Sequence, residues 1–252
     1  MKLQFKLGLL VITLLGLAAT TLSSLAQMPG QPQSLREKLA VAIEVASQNQ
    51  LEIVSINETP LPNIYEVELN TGEILYSDVS GDYLFAGDMY QTTNAGLLNL
   101  STSKRQVRNL EKISEIPEDE MIMFTPDVVK ATITVFTDVD CTYCRALHRD
   151  LDKLMAAGIQ VRYLAYPRGG EAAESYHKMI SVWCSDDRKK TLSQAKNGQN
   201  IPEIECDSPV LAHYKLGNEL GVTGTPALVF PDGRLIPGYL ETDRLAAMLN
   251  IN

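Results

Sequence analysis

Apolar positions change their spacing several times along this chain, and each change marks an element. Leu35, Leu39, Ile43 and Ala46 recur at the interval of one helix face, behind Ser34-Leu35-Arg36-Glu37, which has the form of a capping box. They predict a helix over residues 35–48. The period then shortens, and residues 51–56, 64–69, 73–77 and 83–86 are short β-rich runs parted by Pro60, Pro62, Thr71-Gly72 and Ser80-Gly81-Asp82. Turn residues at that density predict an antiparallel meander or a set of hairpins. One helix and a few strands over roughly sixty residues make a thin core, of a kind often completed by a partner subunit.

From residue 92 to 123 the chain is polar and charged. Leu97, Leu98, Leu100, Val107, Leu110 and Ile113 are scattered at loosely helical spacing, and Ile116-Pro117 stops the pattern. This predicts a helical connector between two domains, or a surface helix of one larger domain. Beyond it the expected order is a strand around Ile133-Thr134-Val135-Phe136, a helix over 141–155 and a strand over 160–165. Helices follow over 171–184, 186–195 and 209–220, then a hairpin of 227–230 with 235–236, and a last helix over 242–249. A βαβ unit, a helical stretch, a hairpin and a closing helix predict an α/β domain of thioredoxin type, with a mixed central sheet and residues 171–220 as a helical insertion.

The beginning of the chain changes the reading of its surroundings. Lys2 and Lys6 precede an apolar block over residues 7–19, no acid occurs before Glu37, and Ser24-Leu25-Ala26 offers small residues at both positions a signal peptidase needs. A secretory signal peptide over residues 1–26, cleaved between Ala26 and Gln27, is the expectation. The alternative is an uncleaved anchor, but the block is shorter than the roughly 20 residues that span a bilayer. Loss of Lys2 and Lys6 without any carboxylate moves the formal net charge from −9 to −11. So acidic a surface argues against nucleic acid and anionic lipid as partners.

Four cysteines in an exported chain belong to an oxidising compartment. Cys141 and Cys144 form a C-x-x-C after an apolar strand and at the start of a helix, where free backbone N–H groups and the dipole favour a thiolate. A two-residue spacing is too tight for a structural staple, whereas Cys184 and Cys206 close a longer loop. Cys141/Cys144 is therefore assigned to chemistry and Cys184/Cys206 to structure. A four-cysteine zinc site would need a second C-x-x-C, which is missing, and no metal or cofactor is expected. Cys141, nearer the helix end and solvent, is the expected nucleophile, and Cys144 the resolving thiol. Asp138 and Asp140 would oppose a thiolate unless turned away. His148 is read as a solvated helix residue, Trp183 as core packing, and His177 and His213 as surface or core residues.

Phe136-Thr137-Asp138, Cys141-Thr142-Tyr143-Cys144, Leu147-His148, Tyr166-Pro167-Arg168 and Gly224-Thr225-Pro226-Ala227 together resemble the DsbC/DsbG family of exported thiol:disulfide interchange proteins. In the N-terminal part, residues 72–76 and Gly87-Asp88-Met89-Tyr90 resemble the family's hairpin. The resemblance implies a dimerisation domain over 27–91, a helical linker over 92–123 and a thioredoxin-fold catalytic domain over 124–252. It implies a cis Thr225-Pro226 bond facing the cysteines, with Thr225, Pro226, Thr142 and Tyr143 contacting substrate. The family's two branches carry glycine or proline where this chain has Thr142, a position that tunes redox poise.

By the same resemblance the protein would be a periplasmic homodimer that isomerises wrong disulfides in unfolded exported proteins, with chaperone-like binding and a DsbD-like membrane reductase keeping it reduced. A DsbG-like reductase of sulfenylated cysteines and a holdase with incidental cysteines are the competing functions. A monomeric oxidase would not need the N-terminal domain.

Overall fold

The computed structural model describes residues 34–251, so the expected signal peptide lies outside the described residues. Helix α1 (Leu35–Ser47) begins where the capping box puts it: Ser34 Oγ accepts from the Glu37 amide at 3.3 Å, and the Glu37 carboxylate accepts from the Ser34 amide at 3.0 Å. Strands β1 (Ile53–Glu58), β2 (Ile64–Leu69), β3 (Ile74–Asp78) and β4 (Leu84–Ala86) follow as an antiparallel meander in the order β1-β2-β3-β4. Leu39 and Ile43 of α1 pack on Val67 and Leu69 of β2, a small core that leaves all of β4 exposed at the sheet edge.

The polar segment departs from the expected continuous helix. Strands β5 (Tyr90–Thr93) and β6 (Gly96–Asn99) pair antiparallel around Asn94-Ala95, and only then does helix α2 (Leu100–Ser114) begin. Two features stop the helix from starting earlier. Gly96 sits at φ 117°, in the conformation that favours glycine, and Asn99 caps the helix by accepting from the Thr102 amide at 2.8 Å. Helix α2 then runs along the C-terminal part. Asn109 Nδ2 donates to the Gly233 carbonyl at 2.9 Å, and Lys112 pairs with Glu219 at 2.9 Å. Gly233 lies so close to the Gln106 carbonyl of α2 that a Cβ there would collide with it.

The C-terminal part is built on a five-stranded sheet in the order β11-β10-β8-β9-β7, made of β7 (Ile122–Phe124), β8 (Ala131–Thr137), β9 (Ile159–Ala165), β10 (Ala227–Val229) and β11 (Leu235–Pro237). Only β8 and β9 are parallel. Strand β7, inside the segment expected to be connector, pairs with the edge of β9. Alternation along β8 and β9 sends Ile133, Val135, Val161 and Tyr163 to one core and Phe136 and Leu164 to another, so both faces are covered. The first core takes in Leu147, Leu154, Met179, Trp183 and Leu192 from helices α3 (Thr142–Arg149), α4 (Leu151–Ala156), α5 (Glu174–Trp183) and α6 (Arg188–Lys196). Helix α7 (Val210–Glu219) closes the second with Leu216, and α8 (Thr242–Met248) adds Leu245 to the first.

The helix expected over 141–155 is two helices. Asp150 interrupts it at φ −88°, ψ 5°, where its carboxylate accepts from Tyr239 Oη at 2.5 Å and Lys153 Nζ at 3.0 Å. Cys184, at the end of α5, is disulfide-bonded to Cys206, which clips the loop after α6 to the helix before it.

Candidate active site

Strand β8 ends at Thr137, and a short turn brings the chain to Cys141, the N-cap residue of α3. A cap residue faces the free amides of the first turn. Here the amides of Tyr143 and Cys144 both reach the Cys141 sulfur. The two cysteines are an unpaired dithiol in this structure.

Their environments split the pair. The Cys144 thiol donates to the Cys141 sulfur, the chief cause pulling the Cys141 pKa down; the buried and otherwise unpartnered Thr225 hydroxyl adds to this, against the opposing effect of burial. Cys144 moves the other way: burial pushes its pKa up, and the hydrogen it shares with Cys141 holds it there. Accessibility, expected to distinguish them, does so very little, since Cys141 is 3% exposed and Cys144 0%. Electrostatics favours the thiolate at Cys141 and the thiol at Cys144. The residues between them point outward, Tyr143 being 63% exposed.

The loop before β10 lies across the same sulfur. The Thr225-Pro226 bond is cis, and the Thr225 carbonyl accepts from the Cys141 thiol at 3.2 Å. Of the four residues expected to contact substrate, Thr225 and the Tyr143 amide reach the Cys141 sulfur, while the Thr142 and Tyr143 side chains are exposed beside it. Both acidic neighbours are neutralised locally. Asp138 accepts from Arg168 Nε at 3.2 Å, the Arg168 amide at 3.1 Å and Ser175 Oγ at 3.3 Å, while Asp140 pairs with Arg145 at 3.0 Å and Lys178 at 3.1 Å.

Two family models match, a disulfide bond isomerase protein N-terminal domain over residues 27–102 and a thioredoxin-like domain over 117–251. Thiol:disulfide interchange protein DsbC of Salmonella typhimurium is 35% identical over 200 residues, 79% of this chain and 82% of that protein. The chain belongs to the DsbC family. DsbC of Haemophilus influenzae is likewise 35% identical, over 85% of this chain and 91% of its own length. A solved disulfide interchange protein from Neisseria gonorrhoeae aligns at 29% identity over 54% of this chain and 96% of its own, with a TM-score of 0.48. The chemistry of this DsbC relative is therefore thiol–disulfide interchange, on a thioredoxin-like domain joined to a DsbC-type N-terminal domain.

Of the residues read around the DsbC-type dithiol, His148 differs from its expected setting, while Trp183 and His213 fall where they were expected. His148 is buried rather than solvated, because Cys144, Leu147 and His148 share one face of α3. Its ring lies 3.3 Å from Tyr163 Oη and 2.9 Å from Ser193 Oγ, and burial, with Lys196 nearby, lowers its pKa to about 3. Trp183 is core, with its indole N–H donated to the Glu120 carbonyl at 2.8 Å. His213 is fully buried on α7, and burial lowers its pKa to about 4.

The residues that sequence reading missed are Lys196, Thr137 and Arg168 in its role as partner of Asp138. Lys196 is only 2% exposed, yet its ammonium reaches Thr137 Oγ1 at 2.7 Å, beside Cys144. A usable signal existed: Leu192 and Lys196 are four apart on α6, so the apolar face that buries one also turns the other inward.

Proposed function

We propose that this protein is a periplasmic disulfide isomerase. Cys141 attacks a wrongly formed disulfide in an unfolded exported protein, and the mixed disulfide is released either by another substrate thiol or by Cys144. The observation that carries the reading is the split dithiol, one sulfur whose pKa is lowered by the Cys144 thiol and the first-turn amides of α3, and the other held protonated behind it by burial. An extended substrate segment would pair with the Thr225 backbone and rest on Pro226, Thr142 and Tyr143.

Two copies would join through their N-terminal domains. Strand β4 is a free sheet edge carrying Leu84 and Phe85, and the neighbouring hairpin exposes Tyr90, Leu97 and Leu98. Apolar surface of this kind would also hold unfolded chains, the basis for chaperone-like binding. Turnover requires the dithiol to be kept reduced, by a DsbD-like membrane thiol reductase on this reading.

The test is recovery of activity from a protein oxidised to scrambled disulfides. Cys141→Ala should abolish repair while leaving suppression of aggregation intact, and Cys144→Ala should accumulate a mixed disulfide with substrate. Repair that survives Cys141→Ala would exclude the isomerase reading. Thiol trapping in cells should find Cys141 and Cys144 mostly reduced; a mostly oxidised pair would indicate an oxidase.

A further inference from the structure

An ammonium buried without an ion-paired carboxylate needs a reason, because burial penalises the charged form. Among the described residues, Lys196 forms no ion pair, and the hydrogen bond found for it is to Thr137 Oγ1 at 2.7 Å. Its ammonium also stands 5.4 Å over the Tyr163 ring. The nearest carboxylate with influence, Asp138, is occupied by Arg168, Ser175 and the Arg168 amide. Lys196 donates to the Thr137 oxygen, which leaves that hydroxyl's one proton free for the Cys144 sulfur, whose pKa Thr137 lowers. The Asp138 amide approaches the same sulfur at 3.5 Å.

We propose that Lys196 controls the protonation of Cys144 through Thr137, and so sets how fast Cys144 ends a mixed disulfide. This rests on the interchange chemistry proposed above. As the step begins, Cys144 is a thiol and Lys196 a neutral amine. With the amine neutral, the Thr137 hydroxyl turns its proton to Nζ and accepts from the Cys144 thiol. The thiol proton passes to the Thr137 oxygen while the hydroxyl proton passes to Nζ, leaving an ammonium that donates to Thr137 and a hydroxyl that donates to the thiolate. The Cys144 thiolate then attacks the Cys141 sulfur, forming the Cys141–Cys144 bond. The bond to the substrate sulfur breaks with its electron pair, and that thiolate takes a proton from water. The protein dithiol is oxidised and the substrate disulfide reduced.

Burial lowers the Lys196 pKa to about 8, opposed by the cysteines and Asp138, so that amine and ammonium interconvert close to neutrality. The other charged or titratable groups facing it do not take over the role. Arg145 is engaged by Asp140 and the Val139 carbonyl, Tyr163 is held as the neutral phenol by burial, and His148 is held neutral by burial and by Lys196 itself. Lys196 acts on the sulfur through Thr137 and is a positioning residue.

The test separates the two exchange steps with 5,5′-dithiobis(2-nitrobenzoate) on the full reduced protein. Attack by Cys141 releases one coloured thiolate, and closure by Cys144 releases the second. Lys196→Met should leave the first release unchanged, slow the second roughly tenfold or more at neutral pH, and move its pH profile upward. Thr137→Val should do the same and Thr137→Ser should restore the rate. Lys196→Met should melt no lower than the parent, since an apolar side chain replaces a buried charge; if it does not fold, Thr137→Val against Thr137→Ser decides by the same criterion. An unaltered second step and pH profile in Lys196→Met would overturn the proposal. Parent protein that closes its disulfide in this Lys196-dependent way but repairs no scrambled substrate would overturn the isomerase reading instead.

Discussion

At the scale of single residues, reactivity follows from which hydrogens point at which sulfur. Cys141 receives the Cys144 thiol, two backbone amides and the Thr225 hydroxyl, so its folded pKa lies below that of an ordinary cysteine. The thiolate therefore persists at pH values where an ordinary thiol, with a pKa of about 8.5, is protonated. Alkylation of Cys141 by iodoacetamide is expected to stay fast through neutrality and to fall only as pH drops through the lowered value. Thr225→Val should move that midpoint upward, which mass spectrometry of the labelled peptide can follow. Cys141, Cys144 and the Thr225-Pro226 pair were legible because each sits in a short motif whose neighbours are sequential. Lys196 was not, since Thr137 lies fifty-nine positions away and only folding brings the two together. His148 was misread for a related reason, the helical face it shares with Cys144 being outweighed by its polar character.

At the scale of elements, periodicity served best where the apolar runs belong to a buried core. Helix α1, the meander and the β8–α3–β9 unit stand close to where the apolar spacing puts them. The β5–β6 hairpin did not, because Leu97 and Leu98 are exposed and so carry no record of a core, leaving Asn94-Ala95-Gly96 as the turn signal. The break at Asp150 depends on Tyr239, far along the chain, and had no local mark beyond the aspartate itself. The helical insertion is held by the Cys184–Cys206 bond, which closes a loop of separation 22 around α6. Replacing both cysteines by alanine should lower stability by about 3 kcal/mol. Fluorescence of Trp183, the sole tryptophan, makes the denaturant midpoint straightforward to read. An unchanged midpoint would mean that packing of α5 and α6 alone suffices.

At the scale of the whole molecule, a broad catalytic core with helices on both faces is joined to a module whose core is one helix on one sheet. The imbalance was visible in the sequence as one helix and a few strands over roughly sixty residues, and the exposed β4 edge is its structural counterpart. If two copies complete each other there, Leu84→Lys with Phe85→Lys should give a monomer by sedimentation. Such a monomer should keep rapid disulfide exchange with small reagents and lose most repair of scrambled protein; a dimer that survives the double change would place the contact elsewhere. The clip between Cys184 and Cys206 bears on how the molecule matures. A newly made chain carries four thiols, of which two must be joined while the two most reactive are left apart. Each copy thus has a pairing problem of its own, in which Cys184 must find Cys206 rather than Cys141 or Cys144.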